Sequence, residues 1–382
     1  MSPIPLLLSA GEASGDMYAA RLAAALLRRL DVQIFGMGGP HMRSAGVDIV
    51  MDYEEVSVVG ITEILKHLPS LLEAMEKIVT QAEQRKPALA ILTDFPGFHL
   101  RLARKLKPRG IRNVYYICPQ FWAWRPWRVN LIRKRFEKAL CIFPFEKEFF
   151  SNAGVSTEFI GHPLVGTVNP TKDRRQFCAE YGLAPGTAVV TVLPGSRTGE
   201  LAHHLPVLQE SCARIHAKIP SQFVVAAAHT KDMEMLKTGW PAGLKFRVLA
   251  GETYNALGAA DAAIVSSGTA TVEAALLDVP MVVVYRVSPL TAALAKPLVR
   301  TPYFAMVNLI AERRVVTELV QDDFTPEKVA HETLRLLQDA NARAAARSGL
   351  ADVRQRLGPP GAVERAADAI AGLLSLPAGN AS

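Results

Sequence analysis

Four polar turns in this chain carry residue types suited to phosphates, sugar hydroxyls and proton transfer. Residues 193–197, LPGSR, close an apolar run and present the Ser196 hydroxyl and the Arg197 guanidinium. A guanidinium pairs with phosphate through two parallel N–H groups. Residues 266–275, SSGTATVEAA, follow a second apolar run. Gly268 lets the backbone approach a ligand closely, and Thr269 starts a helix whose free N–H groups can hold a diphosphate. Glu273 lies one helical turn beyond Thr269 on the same face, where a carboxylate can accept both hydroxyls of a ribose. Residues 91–99, ILTDFPGFH, place Asp94 directly after a buried run. There it can take a proton from an attacking hydroxyl, if burial keeps its pKa useful. Residues 11–16, GEASGD, put Glu12, Ser14 and Asp16 at a strand-to-helix turn with outward N–H groups. Each turn also has a plain structural reading: Asp94 or Ser14 as a helix cap, Asp16 near the positive end of a helix dipole, the others as ordinary solvated turns.

Other site types are poorly supported. Residues 36–41, GMGGPH, carry His41 where a dinucleotide fingerprint needs its last glycine. There is no D-x-D, which weakens a divalent metal as phosphate partner and leaves that charge to Arg197 and helix N-termini. Cys118, Cys141, Cys178 and Cys212 have neither C-x-x-C nor metal spacing and fit a reducing compartment.

The elements positioning these turns follow from hydrophobic pattern. In the first half, strands are predicted at 4–9, 32–35, 89–92, 114–118 and 139–142, and helices at 16–29, 65–85, 98–107, 129–138 and 146–152. Apolar strands joined by helical crossovers argue for a doubly wound parallel sheet. A Gly-, Pro- and Thr-rich break at 161–172 precedes a second such pattern, with strands at 188–193, 222–227, 246–249, 262–265 and 281–285. Its helices are predicted at 205–218, 230–237, 253–260 and 269–277, and a last helix at 363–376. The expectation is two Rossmann-like α/β domains, 1–168 and 169–358, facing a cleft at the carboxyl ends of their strands.

The chain of 382 residues carries +7, unevenly distributed. Residues 101–138 hold twelve Lys or Arg against one acid, so +11, which leaves −4 for the remainder. Such a patch suits an anionic membrane surface, a phosphorylated substrate or nucleic acid. Within it, CPQFWAWRPWR at 118–128 interleaves Trp and Arg, and Trp122 and Trp124 are read as alternating in an extended segment. Ile61, Ile64, Leu65, Leu68, Leu71, Leu72 and Met75 form an apolar stripe that is either core or a membrane contact. No signal peptide or transmembrane span is recognised.

Taken in order, GEASGD, GMGGPHM, TDFPGF, WAWR, FPFEKEFF, GHPL, LPGSR, SGTATVEAAL, PMVVVYR and NLIAERRVVTELVQ span nearly the whole chain and resemble the lipid A disaccharide synthases. These are inverting glycosyltransferases of the two-Rossmann GT-B type. The resemblance implies a donor, UDP-2,3-diacylglucosamine, an acceptor, 2,3-diacylglucosamine 1-phosphate, and a β-1,6 disaccharide product. It implies Asp94 as general base and Glu12 as a second active-site acid. Arg197, Glu273 and Asn308 fall in its nucleotide-binding segments. It further implies no metal or other cofactor, a peripheral position on the cytoplasmic face of the inner membrane, and a last helix crossing back onto the first domain. His99 stands where the family usually has Asn. No nucleic-acid partner is expected, and a homodimer is compatible with the sequence. The rival readings are a UDP-sugar 2-epimerase of the same fold and a non-catalytic membrane-binding protein.

Overall fold

Seven parallel strands form the sheet of the first unit: β1 Ile4–Ala10, β2 Val32–Gly38, β3 Asp48–Asp52, β4 Leu89–Thr93, β5 Arg112–Tyr116, β6 Lys138–Cys141 and β7 Thr157–Phe159. Their order is β3-β2-β1-β4-β5-β6-β7. The computed structural model describes residues 2–55, 68–288, 291–292 and 301–375. β1 and β4 are buried along nearly their whole length, which is why they read as unbroken apolar runs. In-register pairing sets Ala10 beside Thr93, so the turns after these two strands are neighbours.

Six parallel strands form the second unit's sheet: β8 Ala188–Leu193, β9 Ser221–Ala227, β10 Phe246–Ala250, β11 Ala262–Ser266, β12 Met281–Tyr285 and β13 Thr317–Val320. The order is β10-β9-β8-β11-β12-β13. In both sheets the winding direction reverses once, between β1 and β4 and between β8 and β11. The four polar turns singled out above follow these four strands. Ligands of doubly wound sheets bind at such reversal points, beyond the carboxyl ends of the strands.

The first unit comprises Met1–Pro163 and Gly358–Ser382, and the second Leu164–Leu357. The first crossing thus falls slightly ahead of the expected 168/169. The helix Ala362–Ser375 lies against the helix Ala13–Arg29, with Arg28 and Arg29 paired to Glu364 and Arg29 also to Asp368.

Several local expectations need correction. β5 stops at Tyr116, because Ile117 adopts a left-handed φ of 60° that ends extended pairing. The segment read as extended, with Trp122 and Trp124 alternating, is a short helix, Phe121–Trp124. Of the apolar stripe, Ile61, Ile64 and Leu65 lie outside the described residues. The side chain of Leu68 is likewise not described, and the other three are split: Met75 is core, Leu71 packs against the core, and Leu72 is 51% exposed. Among the described residues no helix is long and apolar enough to cross a membrane.

Candidate active site

Asp94 leaves β4 in an unusual conformation. It and Phe95 both have left-handed φ, 53° and 46°, and neither is glycine. Such residues persist only where their surroundings hold them. The Asp94 carbonyl accepts two hydrogen bonds, from the Tyr115 hydroxyl at 2.8 Å and from His99 Nδ1–H at 2.7 Å. A carbonyl only accepts, so Nδ1 carries the His99 proton and Nε2 is left to accept from the Ser9 hydroxyl at 2.8 Å. Burial holds this imidazole neutral, its pKa lowered to about 4. The Phe95 N–H donates to Asp94 Oδ1 at 2.9 Å, and the Phe95 ring lies against Gly11. A Cβ at Gly11 would sit 2.1 Å from Phe95 Cδ1, so the close approach of the two turns requires glycine.

This clamp leaves the Asp94 carboxyl half-buried at the sheet edge. Burial raises its pKa, and the bond from the Phe95 N–H offsets part of that rise. A carboxylate made more basic this way is a better proton acceptor. Glu12 immediately precedes the helix Ala13–Arg29 on the adjoining turn, and its side chain makes no capping bond. Neither Ser14 nor Asp94 caps a helix through its side chain: the helix starts at Ala13, and Phe95 is the N-cap of Pro96–Leu106. Asp16 is fully buried and accepts the backbone N–H groups of Gly39, His41 and Met42. Its work is to pin the turn after β2.

In the second unit, the turns after β8 and β11 also meet. A Cβ on Gly195, whose φ is +127°, would lie 2.7 Å from Glu200 Oε2 and 3.6 Å from Ser266 Oγ. Ser266 Oγ is buried and has no hydrogen-bond partner among the described residues. Ser196 and Arg197 are exposed beside it, and Arg197 makes one loose contact, 3.4 Å to Glu200. Gly268 precedes the helix Thr269–Leu276 and no side chain caps its start; the Thr271 N–H is taken by Gly268 O, which leaves those of Thr269 and Ala270 without an intrahelical partner. Glu273 is half-buried, accepts from the Tyr254 hydroxyl at 3.0 Å, and has its pKa raised by burial.

Asn308 occupies a different setting. It is fully buried, and its amide is consumed internally. Nδ2–H groups donate to Val316 O and Glu318 Oε1, while Oδ1 accepts from Val315 and Val316 N–H. Its side chain orders the loop before β13. Two groups escaped the sequence reading. His204 donates from Nδ1 to Pro194 O and accepts the Arg286 N–H at Nε2, tying the LPGSR turn to the end of β12. Tyr254 supports Glu273. Both sit within helices, Thr198–His216 and Thr253–Gly258, and not in the polar turns. No group of three or more His, Cys, Asp or Glu able to hold a metal ion occurs among the described residues.

The geometry has relatives. The family model for lipid-A-disaccharide synthetase matches residues 6–369. The chain is 44% identical over 371 residues to the lipid-A-disaccharide synthase of Solibacter usitatus, covering 97% of each chain. It is 42% identical over 376 residues to that of Myxococcus xanthus, covering 98% of each. In fold it is similar to the crystal structure of Acinetobacter baumannii MurG, with a TM-score of 0.60, 18% identity, and 97% of this chain and 99% of that one covered. The fold is the two-Rossmann GT-B type, and the family match sets the epimerase and non-catalytic readings aside. By its near-complete match to the family model and to these relatives, the chain belongs to the lipid-A-disaccharide synthase family, glycosyltransferases that make the lipid A disaccharide.

Proposed function

We propose that the first unit activates the acceptor and the second holds the nucleotide of the donor. The acceptor 6-hydroxyl of 2,3-diacylglucosamine 1-phosphate attacks C1 of the sugar in UDP-2,3-diacylglucosamine. Asp94 takes the hydroxyl proton, the bond from C1 to the diphosphate breaks, and UDP leaves with the electron pair. Attack on the face opposite the leaving group gives the β-1,6 linkage. Arg197, the Ser196 hydroxyl and the N–H groups after Gly268 meet the charge growing on the diphosphate, with Thr269 at the helix start. Glu273, steadied by Tyr254, accepts the ribose hydroxyls. Glu12 orients the acceptor sugar. Asn308 serves by ordering its loop. This division of labour uses no metal.

The observation that carries this reading is the clamped, half-buried Asp94, raised in pKa, at the reversal point of the first sheet. Asn tolerates left-handed φ, so Asp94→Asn should keep the fold and UDP binding. Turnover should fall by on the order of 10²-fold or more. Mass detection of the disaccharide phosphate reads it, and near-normal turnover would falsify the assignment.

The acyl chains require the enzyme to meet its substrates at a lipid surface. Trp127 at 62% and Trp124 at 39% exposure, with Leu72, are the apolar groups offered for this beside the basic segment. Trp and Arg together suit the headgroup level of a bilayer. The reading is of a peripheral enzyme on the cytoplasmic face of the inner membrane.

A further inference from the structure

The twelve cations of residues 101–138 do not form a uniform field. Four are held by acids: Lys105 by Glu76, Arg109 by Glu83, Arg112 by Glu137 and Lys138 by Glu158. These four lie at the starts of β5 and β6, at the far end of the helix Pro96–Leu106 or in the turn Lys107–Arg109 just beyond it. They are at the amino edge of the first sheet, away from Asp94.

Arg101, Arg125 and Arg128 are arranged differently. Arg101 folds back along its helix, and Nη1 donates to Gly97 O at 2.7 Å. Its guanidinium therefore lies against the first turn of the helix that follows Asp94 and Phe95. Arg125 and Arg128 lie in the segment that follows β5, the strand paired with β4, so they share the same carboxyl edge. No carboxylate stands within ion-pair distance of any of the three among the described residues.

Aromatic rings hold two of them. The Arg125 guanidinium lies 4.3 Å from the Trp124 ring centroid. That of Arg128 lies 5.8 Å from the Phe121 centroid and 5.7 Å from that of Trp127. Arg128 Nε is buried with no hydrogen-bond partner among the described residues. The Arg128 pKa is lowered, first by burial and then by the charges of Arg125 and Arg101. The Arg128 guanidinium thus lies within electrostatic reach of both other cations. Planar guanidinium forks on aromatic faces match the oxygens of a phosphate.

We propose that Arg101, Arg125 and Arg128 form a phosphate-monoester site that holds the 1-phosphate of the acceptor beside Asp94. The proposal rests on the reading of Asp94 as the acceptor's base. A dianion satisfies three cations on one sheet edge better than the monoanionic phosphodiester of a bilayer phospholipid, the other source of phosphate at a lipid surface. The donor's diphosphate has its own turns in the second unit.

The test uses the full chain with detergent-dispersed substrates, so that binding to a bilayer plays no part. Steady-state constants are measured for diacylglucosamine 1-phosphate and for the same acceptor lacking the phosphate. Arg101→Ala, Arg125→Ala and Arg128→Lys are compared with the parent; the last keeps charge and packing if Arg128→Ala fails to fold. Arg101→Ala and Arg125→Ala should each raise KM for the phosphorylated acceptor on the order of ten- to hundredfold, the scale of one charged hydrogen-bonding pair, and Arg128→Lys, which keeps the charge and loses the fork, should raise it by less. The acceptor without phosphate should respond to the variants severalfold at most, and KM for the donor should not move. Equal losses on both acceptors, or a parent enzyme indifferent to the phosphate, overturns the site. A second arm measures binding to vesicles of phosphatidylglycerol and phosphatidylethanolamine. Variants that lose vesicle binding but keep KM in detergent would make the cluster a headgroup contact and overturn the proposal. Failure of the Asp94 reading shows separately, as normal turnover of Asp94→Asn with all KM values intact.

Discussion

Tyr115→Phe removes one atom, and that atom should matter to turnover more than to folding. Two consecutive left-handed residues, Asp94 and Phe95, cost about 1–3 kcal/mol each. Against that stand three hydrogen bonds: Phe95 N–H to Asp94 Oδ1, and the Tyr115 hydroxyl and His99 Nδ1–H to the Asp94 carbonyl. Each is worth about 1 kcal/mol net. In Tyr115→Phe the carbonyl keeps His99, so no buried acceptor is orphaned and the loss is that of one bond, about 1 kcal/mol. The urea midpoint should fall with the m-value unchanged. If the clamp sets the aim of Asp94, a comparable loss appears in the transition state, about fivefold in kcat. KM for the donor should hold, because the nucleotide turns lie in the other unit. Adding His99→Ala strips the carbonyl of both donors, and the pair should then exceed the sum of the singles by about 1 kcal/mol or more. The reasoning is refuted if Tyr115→Phe loses stability while kcat per folded enzyme stays at the parent value, or if the two substitutions simply add.

Glu273→Ala should weaken UDP binding by about 1–3 kcal/mol by calorimetry, and Tyr254→Phe by less than that; unchanged affinity in both Glu273→Ala and Arg197→Ala moves the nucleotide elsewhere. Glu146 is fully buried, accepting N–H groups of Ile142, Phe143 and Trp122, and burial raises its pKa to about 7. The folded state thus binds its proton more tightly than the unfolded chain does. Its contribution to stability is complete below pH 4.5 and is lost as pH rises toward 7, about 3 kcal/mol in all. His99 and His162, lowered to about 4 by burial, act oppositely and lose their contribution as pH falls from 6.5 toward 4. Urea midpoints across this range should show Glu146→Gln gaining stability with pH more steeply than the parent; parallel profiles dismiss the titration. Binding to anionic vesicles should weaken with salt without vanishing, since salt screens charge and not apolar contact. Replacing both Trp124 and Trp127 by Ser should lower the salt-resistant fraction at an unchanged melting temperature, and a collapsed melt would make these side chains structural.

The central strands were legible because burial on both faces writes them as apolar runs between turns. β8 and β12 match their expected bounds residue for residue. The edge strands β3, β7 and β13 were not found. They are short, partly exposed and carry acids inside or at both ends, so no apolar run exceeds three residues. The turns at the two reversal points were readable from residue type. What each side chain does inside them was less so. Asp16 and Asn308 look in sequence like ligand contacts, yet Asp16 spends its carboxylate on backbone N–H groups of the turn after β2, and Asn308 its amide on the backbone before β13 and on Glu318. The left-handed pair at Asp94 is not announced by its own residue types, because the clamp that holds it is completed by Tyr115 from the neighbouring strand.

The helix Ala362–Ser375 also bears on how the chain is made. Its partner on the first unit is held by Arg29 and Asp368, 339 positions apart. At a synthesis rate of about 5–20 residues per second, the matching face of the helix Ala13–Arg29 waits roughly 20–70 s for its cover. Throughout that interval Leu22, Ala23 and Leu26, all solvent-free in the finished protein, belong to a domain lacking its final helix. The second unit emerges as one continuous stretch and has no such wait. A nascent chain stalled before residue 362 would therefore present a finished second unit beside an unfinished first one, a natural target for chaperones and proteases.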